Sequence, residues 1–101
     1  MNIYGGYFDT EVLQKNDLLT SHQFPYNLIV WNDDINTFQW VIETLIDVCH
    51  HTEQQAEQCS LIIHFKGKCV VKKGDYNILK PMCDTITERG IGATIEVLIN
   101  D

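Results

Sequence analysis

Behind the β-rich run Tyr26-Asn27-Leu28-Ile29-Val30-Trp31 the apolar pattern changes period at once. Phe38, Val41, Ile42, Leu45, Val48 and Cys49 fall on one helical stripe of about four turns. Asn32-Asp33-Asp34 lies between the two, and these residues favour turns by bonding their own backbone. A switch from strand period to helix period across so short a turn restricts the chain to a mixed α/β domain. With 101 residues, there is material for one core and not two.

The remaining pattern completes an order. Asn36 with Gln39 fits a capping box at the start of the first helix, and Thr52 with Gln55 repeats it for a second. The second helix is expected to turn Ala56, Cys59, Ile62 and Ile63 inward and to stop at Gly67. Cys69–Lys73 reads as a strand closed by Gly74. Ile78, Leu79, Met82, Cys83 and Ile86 form a third stripe ended at Gly90, with Pro81 expected in the first helical turn. Ala93, Ile95, Val97 and Ile99 alternate onto one face of a last strand. The order is β-α-α-β-α-β. Three strands bury one face only, so helices must cover it, giving a two-layer α/β domain. Residues 1–24 show no sustained period and read as a mobile or loosely docked N-terminal extension; the domain proper is placed at 25–101.

Charge narrows the function classes. Residues 1–65 carry nine acids against Lys15 alone, while residues 66–101 carry six bases against five acids. The net charge of −7 argues against nucleic acid, whose phosphates need clustered cations. No apolar run approaches the ~18 residues of a membrane span. The first residues lack a basic and then apolar leader, so a cytoplasmic setting is expected, with Cys49, Cys59, Cys69 and Cys83 as reduced core thiols.

Asn32-Asp33-Asp34 is the leading candidate for chemistry. Two carboxylates beside an amide carbonyl make an acceptor-rich patch suited to an ammonium group, which has three donors and no acceptor. A polar strand-to-helix turn is the plainer explanation of the same residues. His64, after Ile62-Ile63, is a second candidate, and a lone histidine there also serves as a structural hydrogen bonder. Cys49, His50, His51, Cys59 and His64 raise a metal-binding alternative. They lack the CxxC or HxxxH pairs that let one element grip zinc from two sides, and Cys49 and Cys59 fall on apolar stripes. A hydrolase built on Asp33, Asp34 and His64 has neither nucleophile elbow nor phosphate loop to accompany it. No cofactor is expected.

Leu28-Ile29-Val30-Trp31-Asn32-Asp33-Asp34, then Phe38-Gln39-Trp40-Val41, then His64-Phe65-Lys66-Gly67-Lys68, resembles ClpS, the adaptor family of the ATP-dependent Clp protease. The resemblance covers about residues 25–97. It implies a three-stranded antiparallel sheet covered by helices and a non-catalytic adaptor. Such an adaptor binds N-degron proteins, whose first residue is Phe, Leu, Trp or Tyr, and passes them to the N-domain of a ClpA- or ClpC-type AAA+ unfoldase. It further implies that Asn32, Asp34 and His64 hold the α-amino group, with Asp33 supporting charge. By the same resemblance, Asn36, Phe38, Val41, Ile63 and Ile91 wall the pocket for the first side chain. The chain departs from the family pattern in places. Asn36-Thr37-Phe38 stands for the usual Thr-Pro-Met, Ser60 for a pocket methionine, and Asn77 and Met82 for a Glu and a Lys that contact the unfoldase.

Overall fold

The computed structural model describes residues 25–98. Strand β1 (Tyr26–Trp31) leads into helix α1 (Phe38–Cys49) and helix α2 (Glu53–Lys66). Strand β2 (Lys68–Gly74), helix α3 (Tyr76–Glu88) and strand β3 (Ala93–Val97) follow. All strands are antiparallel, in the order β2-β1-β3, so the first strand in the chain is the middle one of the sheet. The architecture is the β-α-α-β-α-β domain expected from the pattern. The extension expected over residues 1–24, and Ile99, lie outside the described residues.

The core lies between the inner face of the sheet and the three helices. Leu28, Val30 and Val71 from the strands meet Ile42, Leu45, Cys49, Ala56, Ile63, Leu79 and Ile86 from the helices, with Ile91 from the α3–β3 loop. Ile29 is buried too, although it points to the other face. As the central strand's residue it is flanked by Val70 on one side and Thr94 on the other. Between Leu28 and Ile29 the register with β2 slips by one residue, leaving Val71 as the extra residue of a bulge.

Local signals explain the helix ends. Thr52 and Gln55 form the expected reciprocal capping box of α2, and Gly67 ends that helix at φ 95°, where a side chain would be strained. Helix α1 departs from expectation. Its N-cap is Thr37, whose hydroxyl accepts from the Trp40 N–H, because Asn36 is committed elsewhere. Helix α3 starts at Tyr76, two residues earlier than the stripe suggests, so Pro81 lies inside it and not in its first turn. Proline gives up one backbone bond there, and its exposed position keeps the ring out of the core. On α2 the inward set is Ala56, Ser60 and Ile63; Ile62 is 40% exposed and Cys59 half-buried. Ile78 is likewise 54% exposed although its stripe pointed inward, and Val97 shares the face of Ala93 and Ile95 as expected but is 53% exposed at the end of β3.

Candidate functional site

The two motifs singled out in the sequence meet at one end of the sheet. Trp31 closes β1 by donating its N–H to the Gly92 carbonyl at 3.0 Å, and Asn32 donates to the Gly67 carbonyl at 2.9 Å. The second bond ties the start of Asn32-Asp33-Asp34 to the residue that ends α2, one turn beyond His64. The turn between β1 and α1 is then wound on Asp33. Its Oδ1 accepts from the N–H groups of Ile35 at 2.8 Å and Asn36 at 2.7 Å, and its Oδ2 accepts from Asn36 Nδ2 at 2.7 Å. These bonds, led by those from Asn36, hold the Asp33 carboxyl below its ordinary pKa by favouring the charged form.

Asp33 is thus turned into the loop. Asn32, Asp34 and His64 are exposed, and among the described residues none of their side chains has a hydrogen-bond partner. His64 packs edge-on against Phe65, with ring centroids 4.9 Å apart. Asn32 and His64 therefore flank the Asn32–Gly67 junction as polar groups open to solvent.

The expected wall residues divide into two groups. Ile63 and Ile91 belong to the buried core, at 3% and 2% exposure, and Val41 packs against it. Phe38 stands outside that cluster at 44% exposure, on the first turn of α1. Asn36 is half-buried and bridges the sides: its Nδ2 donates both to Asp33 and, at 2.8 Å, to the Gly90 carbonyl beside Ile91. Ser60 lies one turn before His64 on α2; it is 2% exposed, and its Oγ has no hydrogen-bond partner.

A clamp on the α3–β3 loop went unseen in the sequence. Trp40 Nε1 donates to the Arg89 carbonyl at 3.1 Å, and the Arg89 guanidinium lies over the Trp40 ring at 5.3 Å. The same guanidinium reaches Thr44 Oγ1 and Asp47 Oδ2, both at 3.2 Å. Together with Asn36 these contacts fasten the loop carrying Ile91 to α1. Thr44, a hydroxyl in an apolar stripe and 1% exposed, was the available signal, since a buried hydroxyl demands a partner.

Among the described residues no three His, Cys, Asp or Glu side chains converge to hold a metal ion. No helix among them is long and apolar enough to cross a membrane. At this end of the sheet the exposed groups thus include the Asn32, Asp34 and His64 side chains and the Phe38 ring.

Comparison with known proteins gives a consistent result. The family profile described as "ATP-dependent Clp protease adaptor protein ClpS" matches residues 21–94. A relative from Acetivibrio thermocellus, named ATP-dependent Clp protease adapter protein ClpS, is 42% identical over 55 residues. That match covers 54% of this chain and only 56% of the relative, little more than half its length. A protein of the same name from Corynebacterium aurimucosum is 25% identical over 80 residues, 79% of this chain and 72% of the relative. Among solved structures, Agrobacterium tumefaciens ClpS2 bound to L-phenylalaninamide shares the fold with a TM-score of 0.70 at 21% identity. The alignment covers 74% of this chain and 98% of that one.

Proposed function

The chain belongs to the ClpS family of ATP-dependent Clp protease adaptor proteins, and from this we propose that it captures proteins by their first residue and carries out no reaction itself. A free α-amino group has a pKa of ~7.7–8.0 and is mostly cationic at neutral pH. Its three N–H donors are met by the Asn32 carbonyl oxygen, the Asp34 carboxylate and a neutral ring nitrogen of His64. Asp33 adds negative charge nearby while its oxygens hold the turn in shape. The side chain of the first residue, Phe, Leu, Trp or Tyr, lies against Phe38, Val41, Ile63 and Ile91, with Asn36 at the edge. Burying it contributes ~1.5–3 kcal/mol.

The observation that carries this reading is the Asn32–Gly67 backbone bond, which sets the acidic turn against the end of the helix bearing His64. The structure of a relative solved with L-phenylalaninamide, a free amine on an aromatic side chain, supports the same chemistry. Captured substrate then passes to the N-domain of a ClpA- or ClpC-type unfoldase in the cytoplasm. Asn77 and Met82, where the family pattern has Glu and Lys, alter the docking face on α3. Residues 1–24 act as the extension that engages the unfoldase, with 25–101 as the binding domain.

The test is affinity for short peptides that begin with Phe, free and acetylated. Tight binding of the free peptide and a large loss on acetylation are expected; equal affinity for both would remove the α-amino clamp.

A further inference from the structure

Among the described residues three buried side-chain atoms have no hydrogen-bond partner: Asn27 Oδ1, His51 Nδ1 and Ser60 Oγ. Asn27 and His51 are only half-buried as residues, whereas Ser60 is 2% exposed. A serine inside a helix ordinarily turns its hydroxyl back onto the carbonyl four residues earlier. Thr85 does so in α3, donating to the Pro81 carbonyl at 2.9 Å. Ser60 makes no such bond to Ala56, so its hydroxyl is dehydrated and unused. Thr44, the other buried polar residue among those described, has its partner in the Arg89 guanidinium at 3.2 Å. Ser60 stands alone.

Its place on α2 connects it to the site. Residues three and four apart share a helix face, which sets Ser60 beside Ile63 and His64. His64 is exposed and Ile63 is 3% exposed, so the three descend from the solvent rim into the core. Ala56, one turn further on, is 0% exposed and closes the same face with a methyl group. From His64 to Ser60 the helix runs back one turn, ~6 Å along its axis. That is about the length of a tyrosine side chain.

We propose that Ser60 is a specificity-determining residue whose hydroxyl bonds the phenolic oxygen of an N-terminal tyrosine, so that Tyr is preferred to Phe. The inference rests on the N-degron reading above and names the member of that substrate class this chain favours. With the α-amino group held by Asn32, Asp34 and His64, a side chain running back along α2 brings its tip to Ser60. Leucine is shorter and has no polar atom. Phenylalanine ends in a C–H and leaves the hydroxyl without a partner. Tyrosine ends in a group that donates and accepts, as serine does, so either of the two can supply the proton. It gives up bonds to water on entering, but Ser60 gives up nothing, because it has no partner in the free chain. Binding thus gains a bond, and a preference of about fivefold or more is expected.

Calorimetric titration of the full chain with peptides that differ only in their first residue tests this. The set is Tyr, Phe and 4-methylphenylalanine, which has the length of tyrosine without its hydroxyl, each with a free and an acetylated amino group. Tyr should bind about fivefold or more tightly than both others, and Ser60→Ala should bring the Tyr/Phe ratio to one or below. Equal wild-type affinity for Tyr and Phe, or for Tyr and 4-methylphenylalanine, would overturn the proposal. So would a Tyr/Phe ratio unchanged in Ser60→Ala. The wild-type comparison decides even where the variant fails to fold. The two readings fail differently. Equal binding of free and acetylated peptides would overturn both, whereas a flat Tyr/Phe ratio among peptides that still need their amino group would overturn only the role of Ser60.

Discussion

Asn36 and Asp33 grip each other through two bonds, one from the Asn36 backbone N–H to Oδ1 and one from its Nδ2 to Oδ2, both 2.7 Å long. The pair makes the turn before α1 depend on a charged carboxylate. In the folded chain Asp33 titrates below its ordinary value of 3.8, chiefly because of these bonds. A depressed carboxyl stabilises the fold above its unfolded pKa and loses that contribution as pH falls through the folded one. Wild type should therefore lose stability relative to Asp33→Asn as pH drops below about 4, whereas their difference should stay constant above about pH 5. Urea denaturation across this range measures it. Parallel curves throughout would show that the grip contributes nothing in solution.

Asp34→Ala and His64→Ala should each weaken binding of a Phe-initiated peptide at least tenfold and leave the melting temperature nearly unchanged. Both side chains are exposed and, among the described residues, make no hydrogen bonds to lose. A hydrogen bond to a charged ligand contributes ~1.5–3 kcal/mol, which corresponds to tenfold or more in affinity. Calorimetric titration of both variants checks the assignment, and wild-type affinity in both would refute it.

Phe38 gives a selectivity prediction. Where relatives of the family pattern have a pliant methionine, this chain presents a rigid ring at 44% exposure. A stiff wall should penalise Ile and Val, whose branching sits next to the backbone, more than Leu or Phe. Phe38→Ala should narrow the gap between Leu- and Ile-initiated peptides. The half-exposed ring lies outside the core cluster, so the stability loss should be only about 1 kcal/mol. An unchanged Leu/Ile affinity ratio in the folded variant would end the gatekeeper role.

Ser60→Ala should stabilise the domain. The buried Ser60 hydroxyl has no partner, and leaving such a group dehydrated costs ~1–3 kcal/mol. Alanine removes the penalty and is the better helix former. Denaturation midpoints compare the two proteins directly; a less stable variant would mean that Ser60 does have a partner in solution.

The elements were legible where one signal acted alone. The Thr52–Gln55 box and Gly67 bracket α2 as expected, because no other residue competes for those ends. At α1 two polar residues stood side by side, and Asn36 was withdrawn by Asp33 and Gly90, contacts no local reading reveals, leaving Thr37 as the cap. The face of α2 was misread at Ile62 because Leu61, Ile62 and Phe65 are apolar yet exposed, so periodicity cannot choose between sides. Pro81 was misplaced because its usual cost was taken as decisive, while the rest of α3 packs well enough to offset one missing bond. Asn32-Asp33-Asp34 and His64 stand out in the sequence by residue type alone, whereas the Arg89 clamp depends on tertiary contacts between distant segments.

The central position of β1 also sets the order in which the chain can fold. Val30 must find Cys69 on one side and Ala93 on the other, so the earliest strand waits for the latest before the sheet is whole. Neither hairpin of this sheet is local in sequence, and loop closure has to come before its pairing contributes. The first half of the chain, with α1 already formed, would carry Leu28 and Val30 uncovered on both edges. Acquisition of structure is thus expected to be a late, single cooperative event, governed by the arrival of residues 93–97 and not by the early helices.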